Sequence, residues 1–78
     1  MMYHVFKKLD SKSGTLPLLA TSNMTEAFEK AIEDIKSNYP NAKYDVEDLA
    51  FRYGEAMFST EYFEFKIEDA TYSLFLRY

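Results

Sequence analysis

The chain has 78 residues, 47% of them hydrophobic and 28% charged, with two glycines, two prolines and no cysteine. A chain of this size forms one small domain, residues 1–78, around a single core, and its composition excludes a collagen-like or disordered polymer. Thirteen acids against nine bases leave a net charge of −4, and the absence of cysteine removes disulfides, Cys-ligated zinc and thiol catalysis together.

Tyr3–Leu9, β-branched and aromatic residues flanked by lysines, reads as a first strand. Asp10-Ser11-Lys12-Ser13-Gly14 is a turn cluster, with Gly14 available for a positive φ. Thr15–Leu19 returns as a second strand, which Pro17 confines to a sheet edge because it lacks a ladder donor. Met24, Ala27, Phe28, Ala31, Ile32 and Ile35 recur at helical spacing and predict an amphipathic helix over 24–38. Asn23 and Glu26 form its capping pair, and Pro40 stops it.

Two readings compete for Asp45–Phe58. As strands, Leu49–Tyr53 turns at Gly54-Glu55 and returns as Ala56–Phe58. As a helix, Val46, Leu49, Ala50 and Tyr53 form a stripe, Asp45 is the N-cap, Asp48 pairs with Arg52, and Gly54 is the C′ residue. Ten of the fourteen aromatics lie in the last 35 residues, and that favours the strands. Phe63, Phe65 and Ile67 then alternate with Glu64, Lys66 and Glu68, and Tyr72, Leu74 and Leu76 alternate beyond a turn at Glu68–Thr71. Folding the runs together pairs Ile67 with Tyr72, Phe65 with Leu74 and Phe63 with Leu76. The fold class expected is therefore α+β, one amphipathic helix on a mainly antiparallel sheet of four to five strands, in the order β-(β)-α-β-β-β.

Most catalytic chemistries lack their parts. His4 is the only histidine and reads as a strand-face residue, so neither a His-rich metal site nor a Cys–His pair can be assembled. Asp45-Val46-Glu47-Asp48 lacks the ligand spacing of a calcium loop. Two glycines cannot write a phosphate-binding loop, and Glu61/Glu64 sits on a chain too small to enclose a sugar. Asn23-Met24-Thr25 matches a glycosylation sequon but reads as the helix cap. No cofactor, no metal and no enzymatic activity are expected. No run approaches the roughly 20 apolar residues of a membrane span. Met1–Lys8 has no apolar h-region, so no secretory signal is expected. A cytoplasmic protein is expected, in the host cytoplasm if viral.

Charge points to a binding role. Residues 1–43 hold six bases and five acids, whereas residues 44–70 hold eight acids against Arg52 and Lys66. Such a chain repels nucleic-acid phosphate and is steered toward basic surfaces. Glu26, Glu29 and Glu33 share one side of the predicted helix, and Glu61, Glu64 and Glu68 lie in the acidic stretch. These six are the candidate contacts for a partner protein with a basic surface, itself a candidate nucleic-acid-binding protein; no direct contact with nucleic acid and no membrane are expected. Small, acidic, Tyr-rich and cysteine-free, the chain resembles in general character phage-encoded inhibitors, among them nucleic-acid mimics, as well as antitoxins of basic toxins. The resemblance implies a non-enzymatic inhibitor. The alternative is a structural or assembly subunit acting through self-association. If the 49–58 hairpin extends the sheet, Leu49, Phe51, Phe58, Tyr62 and Phe75 form one apolar patch facing away from the helix, to be covered by the target or by a second copy in a homodimer.

Overall fold

The computed structural model describes residues 1–78 in the order β1 (Met2–Leu9), β2 (Thr15–Thr21), α1 (Met24–Asn38), α2 (Val46–Ser59), β3 (Tyr62–Ile67) and β4 (Ala70–Arg77). One hairpin precedes the two helices and one follows them. The outer termini of the chain zip together, so that β1 pairs with β4 and the antiparallel sheet runs β2-β1-β4-β3. Pro17 lies in β2, an edge strand, where its missing N–H costs little. The β1–β2 register shifts between Val5 and Phe6, passing from Val5↔Leu19 to Phe6↔Pro17 and leaving Leu18 unpaired. The α+β class and the antiparallel sheet hold, with four strands and two helices. Neither helix is long and apolar enough to cross a membrane.

Helix α1 spans the predicted residues 24–38. The Asn23 side chain accepts from the Glu26 N–H at 2.9 Å, while the Asn23 N–H donates to Thr21 Oγ1 at 3.1 Å in place of the reciprocal half of a capping box. Its buried face, Ala27, Phe28, Ala31, Ile32 and Ile35, is the expected stripe less Met24, which is half-buried.

Asp45–Phe58 is a helix and not the hairpin that its aromatics favour. Asp45 Oδ1 accepts from the Asp48 N–H at 3.1 Å and caps the first turn. Leu49, Tyr53 and Met57 recur every fourth residue and bury one face. Phe51 and Phe58, two of the ten aromatics that favour strands, lie on the opposite face. Gly54 is not the C′ residue, because the helix continues to Ser59. The chain instead turns at Glu61, at a positive φ of 60°. The Thr60 and Glu61 N–H groups both donate to the Ala56 carbonyl there, at 2.8 and 2.7 Å.

The C-terminal hairpin keeps its expected faces and loses its expected register. Ile67 pairs with Ala70, Phe65 with Tyr72 and Phe63 with Leu74, two residues from the predicted pairing. A shift of two preserves which side chains point inward, so hydrophobic matching does not distinguish the registers. Turn length does: the loop is Glu68-Asp69 alone, with Glu68 at a φ of 54°, instead of Glu68–Thr71. Gly14 does not take the positive φ expected of it.

Both helices cover the same face of the sheet. Val5, Phe63, Phe65, Ile67, Tyr72 and Leu74 meet the buried stripes of α1 and α2 in one core. Tyr53 ties the helices together: its ring stacks on Phe28 at 5.4 Å, and its hydroxyl donates to the Met24 carbonyl at 2.8 Å. A charge sits in this layer. The Lys7 ammonium, its side chain 9% exposed, meets Asp34 Oδ2 at 2.8 Å. It lies 5.0 Å from the ring centre of Tyr39 and 5.7 Å from that of Tyr72. The Tyr72 hydroxyl donates to the same Asp34 oxygen at 2.6 Å. Burial alone would raise the Asp34 carboxyl, but hydrogen bonds from Lys7 and Tyr72 together with the Lys7 charge outweigh it and hold its pKa low. The network fastens α1 to β1 and β4. With both helices on one side, the molecule is 18 Å along its shortest axis, the depth of two layers, and the other face of the sheet has no cover.

Candidate binding surfaces

Charge separates by element. Helix α1 carries Glu26, Glu29, Glu33 and Asp34 against Lys30 and Lys36, and α2 carries Glu47, Asp48 and Glu55 against Arg52, a net −2 on each. The four strands carry Lys7, Lys8, Lys66 and Arg77 against Glu64, a net +3. The acidity of the whole chain is therefore a property of its helical side and its turns.

On the outer side of the helical layer, Phe51 is 65% exposed and Phe58 95%. They flank a shallow hollow of about 600 Å³ that also takes in Ala50, Gly54, Glu55 and Ser59. Glu47 and Glu55 stand one turn to either side of Phe51, so aromatic edge and carboxylate alternate along the helix. Asp48 is partly neutralised by Arg52 at 3.4 Å. A second groove, about 660 Å³, runs between α1 and the start of α2, lined by Phe28, Ile32 and Val46 with Glu29 and Glu33 beside them. Glu26, Glu29 and Glu33 also line a smaller hollow next to Leu19. Only Glu33 of these three is held by a cation, Lys30 at 3.3 Å.

The uncovered sheet face is aromatic at its centre. Period two places His4, Phe6 and Lys8 of β1 opposite the buried Val5 and Lys7. Strand pairing brings His4 and Tyr62 to either side of Phe75. The His4 and Phe75 rings stack at 5.4 Å, Phe6 and Phe75 at 5.6 Å, and Tyr62 and Phe75 at 6.2 Å. Arg77 lies over the Phe75 ring at 5.5 Å. Lys8 and Lys66 flank Thr71 beyond the rings; Lys66 is held by Asp10 of the β1–β2 turn at 2.8 Å. Glu64 is the single strand carboxylate here, and it accepts from the Tyr62 hydroxyl at 3.1 Å.

The residues expected to form one apolar patch are thus divided. Leu49 is buried under α2, Phe51 and Phe58 face outward from α2, and Tyr62 and Phe75 lie on the far side of the sheet. The six acids divide likewise. Glu26, Glu29 and Glu33 stay together on α1, whereas Glu64 is on the open sheet face, Glu68 is in the β3–β4 turn, and Glu61 lies in the turn between α2 and β3, where its carboxylate accepts from the hydroxyl of Tyr78. The helical reading of 45–58 already contained the split, since positions 51 and 58 stand opposite 49, 53 and 57. His4 and Phe6 were missed as members of the ring cluster because only the β1–β4 pairing, between the two ends of the chain, joins them to Phe75. No three His, Asp or Glu side chains converge as a metal site would need. Compared with protein-family models, curated proteins and solved structures, the chain finds no match.

Proposed function

We propose that the chain is a non-enzymatic binding protein whose helical side engages a basic surface of a partner protein. The observation that carries this reading is the exposure of Phe51 and Phe58 on the face of α2 that also bears Glu47 and Glu55. Two large rings left in water give a partner apolar area to bury. The carboxylates around them, with Glu26, Glu29 and Glu33 on α1, steer and orient a basic one. A partner that uses the same basic surface to grip nucleic-acid phosphate would be inhibited by occupancy, in the cytoplasm that suits a cysteine-free chain.

Immobilised wild-type chain, challenged with lysate at low and high salt, supplies a salt-released partner on which variants can be compared. Reversal of Glu26, Glu29 and Glu33 to lysine should slow association and weaken its salt dependence. Reversal of Glu61, Glu64 and Glu68, which share no surface, should do much less. Equal retention by wild type and the α1 triple reversal at low salt overturns the reading.

A further inference from the structure

The helical side is acidic and carries two rings in water; the open sheet face carries a cluster of mutually stacked rings that no element covers and is the basic part of the molecule. We infer that the basic surface taken up by the helical side is the open sheet face of a second copy, in a head-to-tail contact that sets Phe51 and Phe58 of one copy against the His4, Phe6, Tyr62 and Phe75 cluster of the next. The inference rests on the reading that the helical side binds a basic surface, and it names that surface.

Charge complementarity selects this pairing over the two symmetric ones. Packing α2 on its own mate brings Glu47 and Glu55 against the same carboxylates. Packing the sheet on its own mate brings two net-positive faces together. Only the head-to-tail contact sets a net-negative surface against a net-positive one. The sheet face stays net positive even when Asp10, the partner of Lys66, is counted with Glu64 against Lys8, Lys66 and Arg77.

With Phe51 65% and Phe58 95% exposed, and a phenylalanine contributing about 200 Å², the two rings alone bring roughly 300 Å² to the contact. Tyr62, 48% exposed, adds the most among the sheet rings, since His4, Phe6 and Phe75 are half-buried, and the charged rims must supply the remainder of the roughly 1,000 Å² of a specific interface. Gly54 adds an independent sign. It lies inside α2 at no positive φ, and a Cβ placed on it would meet nothing within 4 Å. Its bare backbone leaves the floor of the hollow between the two rings low. Because the two surfaces differ, each bound copy keeps one free, and the contact extends into rings or filaments.

Sedimentation equilibrium on the full chain and two folded variants tests this. One variant, Phe51→Ser with Phe58→Ser, removes the helical rings; the other, Lys8→Glu with Arg77→Glu, reverses the sheet rim. Circular dichroism confirms that both fold. At high micromolar concentration and low salt, the wild type should exceed its 9.2 kDa monomer mass and pass beyond a dimer, and added salt should reverse this. Each variant alone should be monomeric, and an equimolar mixture should form one capped heterodimer, since each contributes its intact face. Self-association of either variant alone means a symmetric contact through the untouched face and overturns the inference. So does a wild type that is monomeric under all conditions; the reading of the helical side is then still decided by the partner-capture comparison.

Discussion

Removing the Asp34 carboxylate should cost this protein a large part of its stability. In Asp34→Ala the Lys7 ammonium, its side chain 9% exposed, loses its only anionic partner and keeps only the rings of Tyr39 and Tyr72. The Tyr72 hydroxyl loses its acceptor in the same step. Breaking a buried ion pair from one side costs about 3–5 kcal/mol. A 78-residue domain at roughly 0.05–0.15 kcal/mol per residue has about 4–12 kcal/mol in all. Urea unfolding followed by far-UV circular dichroism should therefore show a midpoint reduced by about a quarter or more at unchanged slope. Replacing both partners, Lys7→Met with Asp34→Leu, leaves no orphaned charge and should cost far less than the single change. The pH dependence has a definite sign. Because the folded Asp34 pKa is held low, the unfolded chain takes up the proton first. The stabilisation is therefore complete above the ordinary carboxylate pKa near 4 and is lost as pH falls through the lower folded value. The acid limb of the stability curve should be shallower in Asp34→Asn. A loss under about 1 kcal/mol in Asp34→Ala, or a double variant as damaged as the single, would refute the role given to this pair.

Phe65→Ala, which empties a core position on the helix-covered face, should cost about 3–5 kcal/mol, whereas Glu64→Ala on the open face should stay within about 0.5 kcal/mol; equal melting of the two contradicts the face assignment. Gly54→Ala places a methyl where nothing lies within 4 Å and should stabilise α2 by about 0.5–1 kcal/mol in thermal unfolding at low micromolar protein concentration. Glu68→Gly relieves a side chain held at a φ of 54° and should raise stability by a similar amount, on the order of 0.5–1 kcal/mol. The Tyr53 phenol, buried and near Tyr3, is pushed up to about 12. Tyr39, Tyr72 and Tyr78 are pushed up as well, so spectrophotometric titration should find several late-ionising tyrosines, and Tyr53→Phe should lower their number by one. Since the unfolded phenol ionises first, near pH 10, stability should fall between that pH and the folded value.

How much was legible follows the range over which each element is determined. Helix α1 carries its own cap, stripe and stop within residues 23–40, and Pro17 alone confines β2 to an edge. The faces of β3 and β4 follow from period two. Their register does not, because a two-residue slip keeps every apolar side chain inward and only the Glu68-Asp69 turn separates the alternatives. Helix α2 is hidden by the aromatic density of the last 35 residues, which favours strands and outweighs the Asp45 cap and the Leu49–Tyr53 spacing. Of the aromatics of α2, Phe51 and Phe58 are the two that the helix leaves in water. The Lys7–Asp34–Tyr72 network joins side chains 27 and 38 residues apart, and the ring cluster joins His4 to Phe75; neither leaves a local trace.

The claim that two unlike faces of this molecule recognise each other is tested most directly by amide chemical shifts of ¹⁵N-labelled chain, followed on dilution from high to low micromolar concentration at low salt. Shifts should move together along the outer face of α2, from Glu47 to Ser59, and on the open side of β1, β3 and β4 around His4, Phe6, Tyr62 and Phe75, while the core around Ile35 and Leu74 stays still. Movement confined to one of the two faces, or none at all over that range, would contradict it.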